Sequence, residues 1–420
     1  MGFSKVYALK GGYQDWKKAG YPMELKTTQE QTECVNCHTV ITPDIVSEWK
    51  QSKHSLEVND VHCSVCHGTD HSTATDVDQA EPVTPHTCRT CHEEQWDQFR
   101  VGKHARAWQA MQDLPSYHWT EPGGEPDQDQ CTGCHAIGFK DQEEIAALEF
   151  EDSSAGKASC DFCHSRHDFS VHKARRPEAC LECHQGPDQP MQDIFFTSEH
   201  GRLLEIPQDS QDQPELAPTC QTCHMQDGQH GVHTAWGSLG VRLPFPWASD
   251  PEWAEARRTV LKGVRALAPE GGSKKRLKAM TGNDLFRISD SGWKQARAGM
   301  IEACTDCHPR SYAKNALDRA DKLLREADIF MARAIELVAG LYQDGLLKRP
   351  KSLDAPYPDL LSWPTDPEPI EVELYRMFQE YRPRTFKAAL HTNEAFAQEQ
   401  GLNKVRQALQ EMEKMAGAMQ

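Results

Sequence analysis

Eight times in 420 residues the pattern Cys-x-x-Cys-His recurs, and it consumes all sixteen cysteines. The first four units are Cys34, Cys37 and His38; Cys63, Cys66 and His67; Cys88, Cys91 and His92; and Cys131, Cys134 and His135. The last four are Cys160, Cys163 and His164; Cys180, Cys183 and His184; Cys220, Cys223 and His224; and Cys304, Cys307 and His308. No thiol remains for a disulfide, a separate zinc site or a nucleophile. An isolated Cys-x-x-Cys suits a zinc knuckle or a redox dithiol. Neither needs a histidine directly after the second cysteine in every copy. Covalent haem c attachment does need it. The cysteine pair adds to the two vinyl groups of one porphyrin, and the histidine becomes the proximal iron ligand. The sequence therefore reads as a scaffold for eight covalently attached haem c groups, with electron movement as its function.

A hydrophobic fraction of 38% is low for this length. Porphyrins are large flat hydrophobes and would supply the missing apolar volume, so the core is expected to be haem as much as side chain. Without haem the chain should be largely unfolded. A formal net charge of −17 disfavours nucleic acid and anionic membrane surfaces. It suits docking to a basic redox partner, such as a cytochrome or a quinol-linked donor. No stretch has the apolar length of a transmembrane helix.

Three regions are expected: 1–26, 33–310 with all eight motifs, and 311–420. In the last, Leu317, Ala320, Leu324, Ala327, Met331, Ala334, Val338 and Leu341 recur at steps of three and four. That spacing predicts a long helix with an apolar stripe, serving either internal packing or a subunit interface. After a Pro-rich stretch, a second helical run covers Glu371 to Met419, with breaks expected near Pro383 and Gly401. The fold class is therefore mainly α, with a haem-packed core and a long C-terminal helical hairpin. Gly123-Gly124, between Pro122 and Pro126, reads as a surface loop. Lys274-Lys275-Arg276 reads as a solvated face.

Residues 1–26 lack the apolar stretch of a secretory leader. Haem c is attached outside the cytoplasm, so a periplasmic or other extracytoplasmic location is expected, with the export signal in residues not shown. Val6-Tyr-Ala-Leu9, Gly11-Gly12-Tyr13, Trp16 and Gly20-Tyr21-Pro22 together resemble the last strand, turn and helix of a rhodanese domain. An ordinary short amphipathic leader is the alternative.

Twelve histidines lie outside the motifs. Imidazole is the usual second ligand of a low-spin electron-transfer haem. A haem with two histidines only passes electrons, whereas a haem with one can bind a small molecule. From Glu33 onward the chain resembles the hydroxylamine oxidoreductase family of octahaem cytochromes. The resemblance rests on Ser52-Lys-His54, Gly102-Lys-His104, Arg166-His167-Asp-Phe169, Arg176-Pro-Glu-Ala-Cys180, Ser198-Glu-His200-Gly201, Ala217-Pro-Thr-Cys220 and Cys223-His-Met225. It implies seven bis-histidine haems and one five-coordinate catalytic haem, here on Cys131, Cys134 and His135. The distal ligands it implies are His54, His71, His104, His167, His200, His230 and His391. His167 lies three residues after His164, too close to reach the far face of the same haem, and should serve a neighbour. His62, His86, His118 and His172 read as surface or outer-shell residues. His233 could substitute as a ligand, line the pocket or be structural.

The resemblance further implies a pocket aspartate soon after the sixth motif. That position is Asp188, a carboxylate able to relay protons. Asp188 also suits a turn before Pro190. The family's next residue is histidine, and here it is Gln189. Hydroxylamine oxidisers in the family crosslink the catalytic haem to a tyrosine just beyond the last distal histidine. Residues 392–401 contain none, and the last tyrosine is Tyr381. The resemblance therefore points to the uncrosslinked branch, whose members reduce nitrite or hydroxylamine, and it implies a homo-oligomer, a trimer. Nitrite to ammonia takes six electrons, a demand suited to an octahaem reservoir. No Cys-x-x-Cys-Lys motif is present, against the tetrathionate-reductase and octahaem nitrite-reductase relatives that use one. The competing readings are oxidation of hydroxylamine or hydrazine, a non-catalytic electron conduit, and sulfur chemistry.

Overall fold

The computed structural model describes residues 29–56, 61–114, 128–140, 159–187, 189–206, 217–237, 239–246, 248–267, 274–286, 289–350, 357–362, 364 and 366–419. The rhodanese-like segment, His118, Asp188 and the Gly123-Gly124 loop lie outside these residues. The elements are helical, and no strand occurs among the described residues. Two compact units are present: residues 1–83 with 164–171, and residues 84–163 with 172–420.

In the first unit, α1 (Gln29–Ile41) runs into α2 (Pro43–Gln51), and α3 (Cys63–His67) carries the second motif. Pro43 opens α2, where its missing N–H costs nothing. Val46 is buried, yet Val40 is 82% exposed and Ile41 59%. Leu56, Val65 and Val77 are exposed too. Side chains alone give this unit almost no core, in line with apolar surface intended for porphyrin faces.

The second unit holds the third, fourth, sixth, seventh and eighth motifs. Helix α4 (Gln128–His135) carries the fourth and α5 (Cys220–His224) the seventh. A bundle follows: α6 (Pro251–Gly263), α7 (Asp290–Thr305), α8 (Arg310–Gln343), α9 (Pro369–Arg376), α10 (Arg382–Leu390) and α11 (Asn403–Met419). Asp250 caps α6 by accepting from the Trp253 N–H (3.1 Å), and Ser289 caps α7 by accepting from the Gly292 N–H (3.1 Å). All eight residues of the α8 stripe are buried. They pack against α6, α10 and α11, so the stripe serves internal packing.

The expected breaks in the second run are π-helical turns. Met377–Tyr381 leads into Arg382–Pro383, and Ala397–Leu402 contains Gly401. A Cβ on Gly401 would overlap the Thr385 backbone, so only glycine lets this turn lie on α10. One buried ion cluster fixes three helices. Asp328 of α8 accepts from Arg382 Nη2 (2.7 Å) and Nε (2.9 Å), from Arg257 Nη1 (3.3 Å) and from Trp253 Nε1 (2.8 Å). The remaining guanidinium N–H groups go to backbone carbonyls: Leu239 (2.6 Å) and Gly240 (3.0 Å) for Arg382, Leu243 (2.6 Å) for Arg257. Arg382 also stacks on Phe386 at 4.2 Å.

Candidate functional site: paired histidines of a multihaem centre

Each motif that falls on a helical turn places its first cysteine, second cysteine and histidine at i, i+3 and i+4. These positions share one face of a helix, so both thioether donors and the iron ligand present together. Threonine starts two of these turns. The Thr84 N–H donates to Thr87 Oγ1 (3.2 Å) and the Thr219 N–H to Thr222 Oγ1 (3.1 Å). No disulfide joins any pair of the sixteen cysteines. Their burial is uneven. Cys37 and Cys91, the second cysteines of the first and third motifs, are exposed, as are Cys223 and Cys307. Cys66, the second cysteine of the second motif, is half-buried, like all eight first cysteines. These thiols therefore stand at the edge of the polypeptide rather than in a core of side chains, which differs from the buried setting usual for cysteine.

Histidines from outside the motifs meet motif histidines across the fold. Ring centroids are separated by 6.1 Å for His38–His71, 6.3 Å for His67–His167, 6.1 Å for His104–His184, 6.0 Å for His200–His308 and 5.9 Å for His224–His391. These rings are too far apart to bond each other. Two imidazoles bound to one metal through nitrogen at about 2.0–2.1 Å, with a ring radius near 1.1 Å, need about 6.3 Å between centroids. The donor set and its spacing therefore fit an iron in each gap. His230 is linked to His92 electrostatically: burial lowers its proton affinity first, and His92 lowers it further. His167 faces the histidine of the second motif, His67.

The other ring nitrogen is fixed in three of these histidines and in His135 of the fourth motif. His135 Nδ1 donates to the Ala107 carbonyl (2.7 Å) and His391 Nδ1 to the Lys387 carbonyl (2.6 Å). His71 Nδ1 donates to Asp76 Oδ1 (2.9 Å), and His38 Nδ1 shares a hydrogen bond with Thr42 Oγ1 (2.8 Å). With Nδ1 so engaged, Nε2 keeps its lone pair for a metal. Burial is the largest cause pushing His184 and His391 down to about 4, assisted by His104 and His224 respectively. Burial likewise lowers His67, His104, His167, His200 and His224. Neutral imidazole is the ligating form.

Short serine-capped turns present His54 and His200. Ser52 Oγ accepts from the Ser55 N–H (3.4 Å) and Ser198 Oγ from the Gly201 N–H (3.2 Å), so each histidine sits two residues into its turn. A Cβ on Gly201 would overlap the Phe195 carbonyl, which explains the glycine after His200. His391 ends α10. Asn393 behind it donates to the Ile194 carbonyl (2.9 Å) and Thr197 Oγ1 (2.8 Å), and accepts from the Phe396 N–H (3.1 Å). This clamp holds Thr392 at φ +58°, unusual for a β-branched residue.

Cysteine contacts show which motifs adjoin. The sulfurs of Cys88 and Cys160, of Cys180 and Cys220, and of Cys134 and Cys183 lie side by side. Cys163, pushed up to about 12 chiefly by burial, also feels Cys180, and Cys223 feels Cys304 and Cys307. The sixth motif thus adjoins the fourth, fifth and seventh.

Among the other residues singled out in the sequence, His86 is exposed against Trp96 at 5.7 Å, and His172 is exposed. His62 precedes α3 as its N-cap residue. His233 is exposed, its proton affinity lowered by partial burial and then by Lys103. Gln189 does not join His135 by any described contact. It accepts from Lys387 Nζ (2.8 Å) and hydrogen-bonds His184. Sequence reasoning missed the residues that orient the rings: Thr42, Asp76 and Lys387. The i+4 spacing of His38 to Thr42 and of Lys387 to His391 was the available signal.

Two family profiles match. One, described as "Seven times multi-haem cytochrome CxxCH", covers residues 142–259 and 278–353, and the other, "Cytochrome c554 and c-prime", covers 5–68 and 87–165. Between them they take in all eight motifs. The chain is a multihaem c-type cytochrome. A curated relative of the cytochrome is a probable nitrite reductase–hydroxylamine oxidoreductase fusion protein of Kuenenia stuttgartiensis, 26% identical over 397 residues. That match takes in 83% of this chain but 42% of the relative, so the cytochrome spans under half of that protein's length. The solved Kuenenia stuttgartiensis reducing HAO-like protein complex shares the fold at TM-score 0.66 and 21% identity, over 95% of this chain and 88% of that one. A hypothetical multiheme protein aligns at TM-score 0.65 and 18% identity, over 96% and 97% of the two chains. Cytochromes of this class typically act outside the cytoplasm. Among the described residues, no helix is long and apolar enough to cross a membrane.

Proposed function

We propose that the cytochrome carries eight haems and reduces nitrite, hydroxylamine or both to ammonia at the haem of the fourth motif. The observation that carries this reading is the allocation of the distal histidines. His71, His167, His104, His391 and His200 face His38, His67, His184, His224 and His308. His230 lies by His92. His54 and His164 share the first unit, and we assign them to each other. Five of the seven thus face motifs other than the fourth, and we assign His230 and His54 to the third and fifth.

Haem c supplies one-electron iron couples and, at the fourth motif, an iron at which an N–O bond can be cleaved. His135, oriented by the Ala107 carbonyl, would hold that iron through Nε2. Cys134 adjoins Cys183, so electrons for the fourth motif arrive by way of the sixth. Asp188 is proposed to deliver protons. The absence of tyrosine in 392–401 favours the reductive direction, and the curated relative's name supports nitrogen-oxide chemistry. We place the protein in the periplasm, as a homo-oligomer, fed by a cytochrome or a quinol-linked donor.

The test is turnover by the purified holoprotein with a reduced dye against nitrite, hydroxylamine and sulfite, with ammonium measured. Ammonium from either nitrogen substrate, together with CO binding at one ferrous high-spin haem, is the expected result. Sulfite turnover alone, or eight low-spin haems that bind no CO, would refute it.

A further inference from the structure

We propose that Lys387 is a positioning residue that sets the reduction potential of the haem at the sixth motif, acting through Gln189. This rests on the reading that His104 and His184 hold that haem.

Lys387 lies in the last turn of α10 and is only 6% exposed. A lysine so buried is unusual, because its ammonium must leave water. Its Nζ donates to Gln189 Oε1 at 2.8 Å, and the Gln189 side chain in turn hydrogen-bonds His184. The ammonium is also close enough to act directly on the His184 ring. Three residues earlier on the same helix, Arg384 Nε donates to the Pro187 carbonyl (3.2 Å). Helix α10 therefore grips the segment after the sixth motif at two points. The backbone carbonyl of Lys387 meanwhile holds His391 at the seventh motif (2.6 Å). One residue thus orients ring nitrogens at two adjoining motifs, while its charge is directed at one of them.

The electrostatic sign follows from the iron couple. Oxidation to Fe(III) adds a positive charge, and a fixed cation in a low-dielectric surrounding opposes it. The sixth-motif haem is thereby held reduced more readily than it would be beside a neutral side chain. The sixth motif adjoins the fourth through Cys183 and Cys134, so the electron is held next to the proposed site of use.

The test is a spectroelectrochemical titration of the holoprotein, with individual low-spin haems followed by EPR. In Lys387→Met, one low-spin midpoint should fall enough to change its oxidised-to-reduced ratio about tenfold at fixed potential, or about 59 mV for one electron. Lys387→Arg should restore it. Gln189→Glu, whose carboxylate offsets the ammonium without removing it, should lower the same midpoint and serves if Lys387→Met does not accumulate as holoprotein. Midpoints that match wild type in whichever of these two variants accumulate overturn the proposal and leave Lys387 a strut. Failure of the underlying ligand assignment reads out differently: His104→Ala would then leave every wild-type low-spin signal in place.

Discussion

Replacing Asp328 with asparagine keeps the side-chain shape and removes the one carboxylate that neutralises two buried guanidiniums. Arg257 is 2% exposed, Arg382 and Asp328 are 0% exposed, and the closest N–O distances are 3.3 and 2.7 Å. A unit-charge pair near 4 Å is worth about 4 kcal/mol at an effective dielectric constant of 20. Breaking a buried pair by removing one partner costs about 3–5 kcal/mol, because the remaining charge stays buried without compensation. Strain of this kind is already visible in Arg257, which burial lowers to about 10 even with Asp328 opposing it. The expected loss is therefore about 3–5 kcal/mol, read from guanidinium-chloride unfolding of the holoprotein by far-ultraviolet circular dichroism. Arg382 begins α10 and His391 ends it, so the seventh haem should lose its low-spin signature at lower denaturant than the eighth. A loss below about 1 kcal/mol, the scale of a single helix cap, would refute the claim that this cluster fixes α6, α8 and α10.

Four further outcomes are expected. His135→Ala should abolish reduction of nitrite and hydroxylamine while the other haems load, checked by dye-coupled assay and by intact mass; surviving activity would move the catalytic haem elsewhere. Ser198→Ala should cost about 1 kcal/mol of local stability and loosen His200, raising CO binding at the eighth haem in a ferrous titration. Asn393→Ala removes three hydrogen bonds behind His391 and should destabilise the second unit by about 1–3 kcal/mol, measured by thermal unfolding. Burial holds His184 and His391 near 4, below their ordinary 6.5, so the folded protein binds fewer protons than the unfolded chain. Iron coordination deepens that bias, so low-spin absorbance should hold as pH falls through 6.5 and be lost only near or below 4; loss centred near 6.5 would contradict the burial of these rings.

The attachment sites were legible because covalent chemistry fixes local spacing: two thiols and an imidazole must share one helical turn. How far each thiol is covered was not, since Cys37 and Cys91 stand exposed where Cys66, in the same motif position, is half-buried. The α8 stripe was legible because a period near 3.6 reports a buried face directly. Which distal ring meets which motif was not legible. His224 and His391 come together only because α10 crosses the bundle, and a tertiary crossing leaves no mark on local sequence. The break near Pro383 was located correctly, but a π-helical turn absorbs it just upstream, so the run continues. That Gln189 hydrogen-bonds His184 was not legible, because it follows from α10 holding the segment through Arg384 and Lys387. Asp188 lies outside the described residues.

Among the described cysteine neighbours, the sixth motif touches three others, which makes it a branch rather than a link in single file. One arm runs outward through the fifth motif to the third, the other through the seventh to the eighth. On the proposed function, charge could enter the sixth motif from either arm, so a lesion in one would slow its filling and leave the other open. A reservoir on this plan would tolerate damage at its tips.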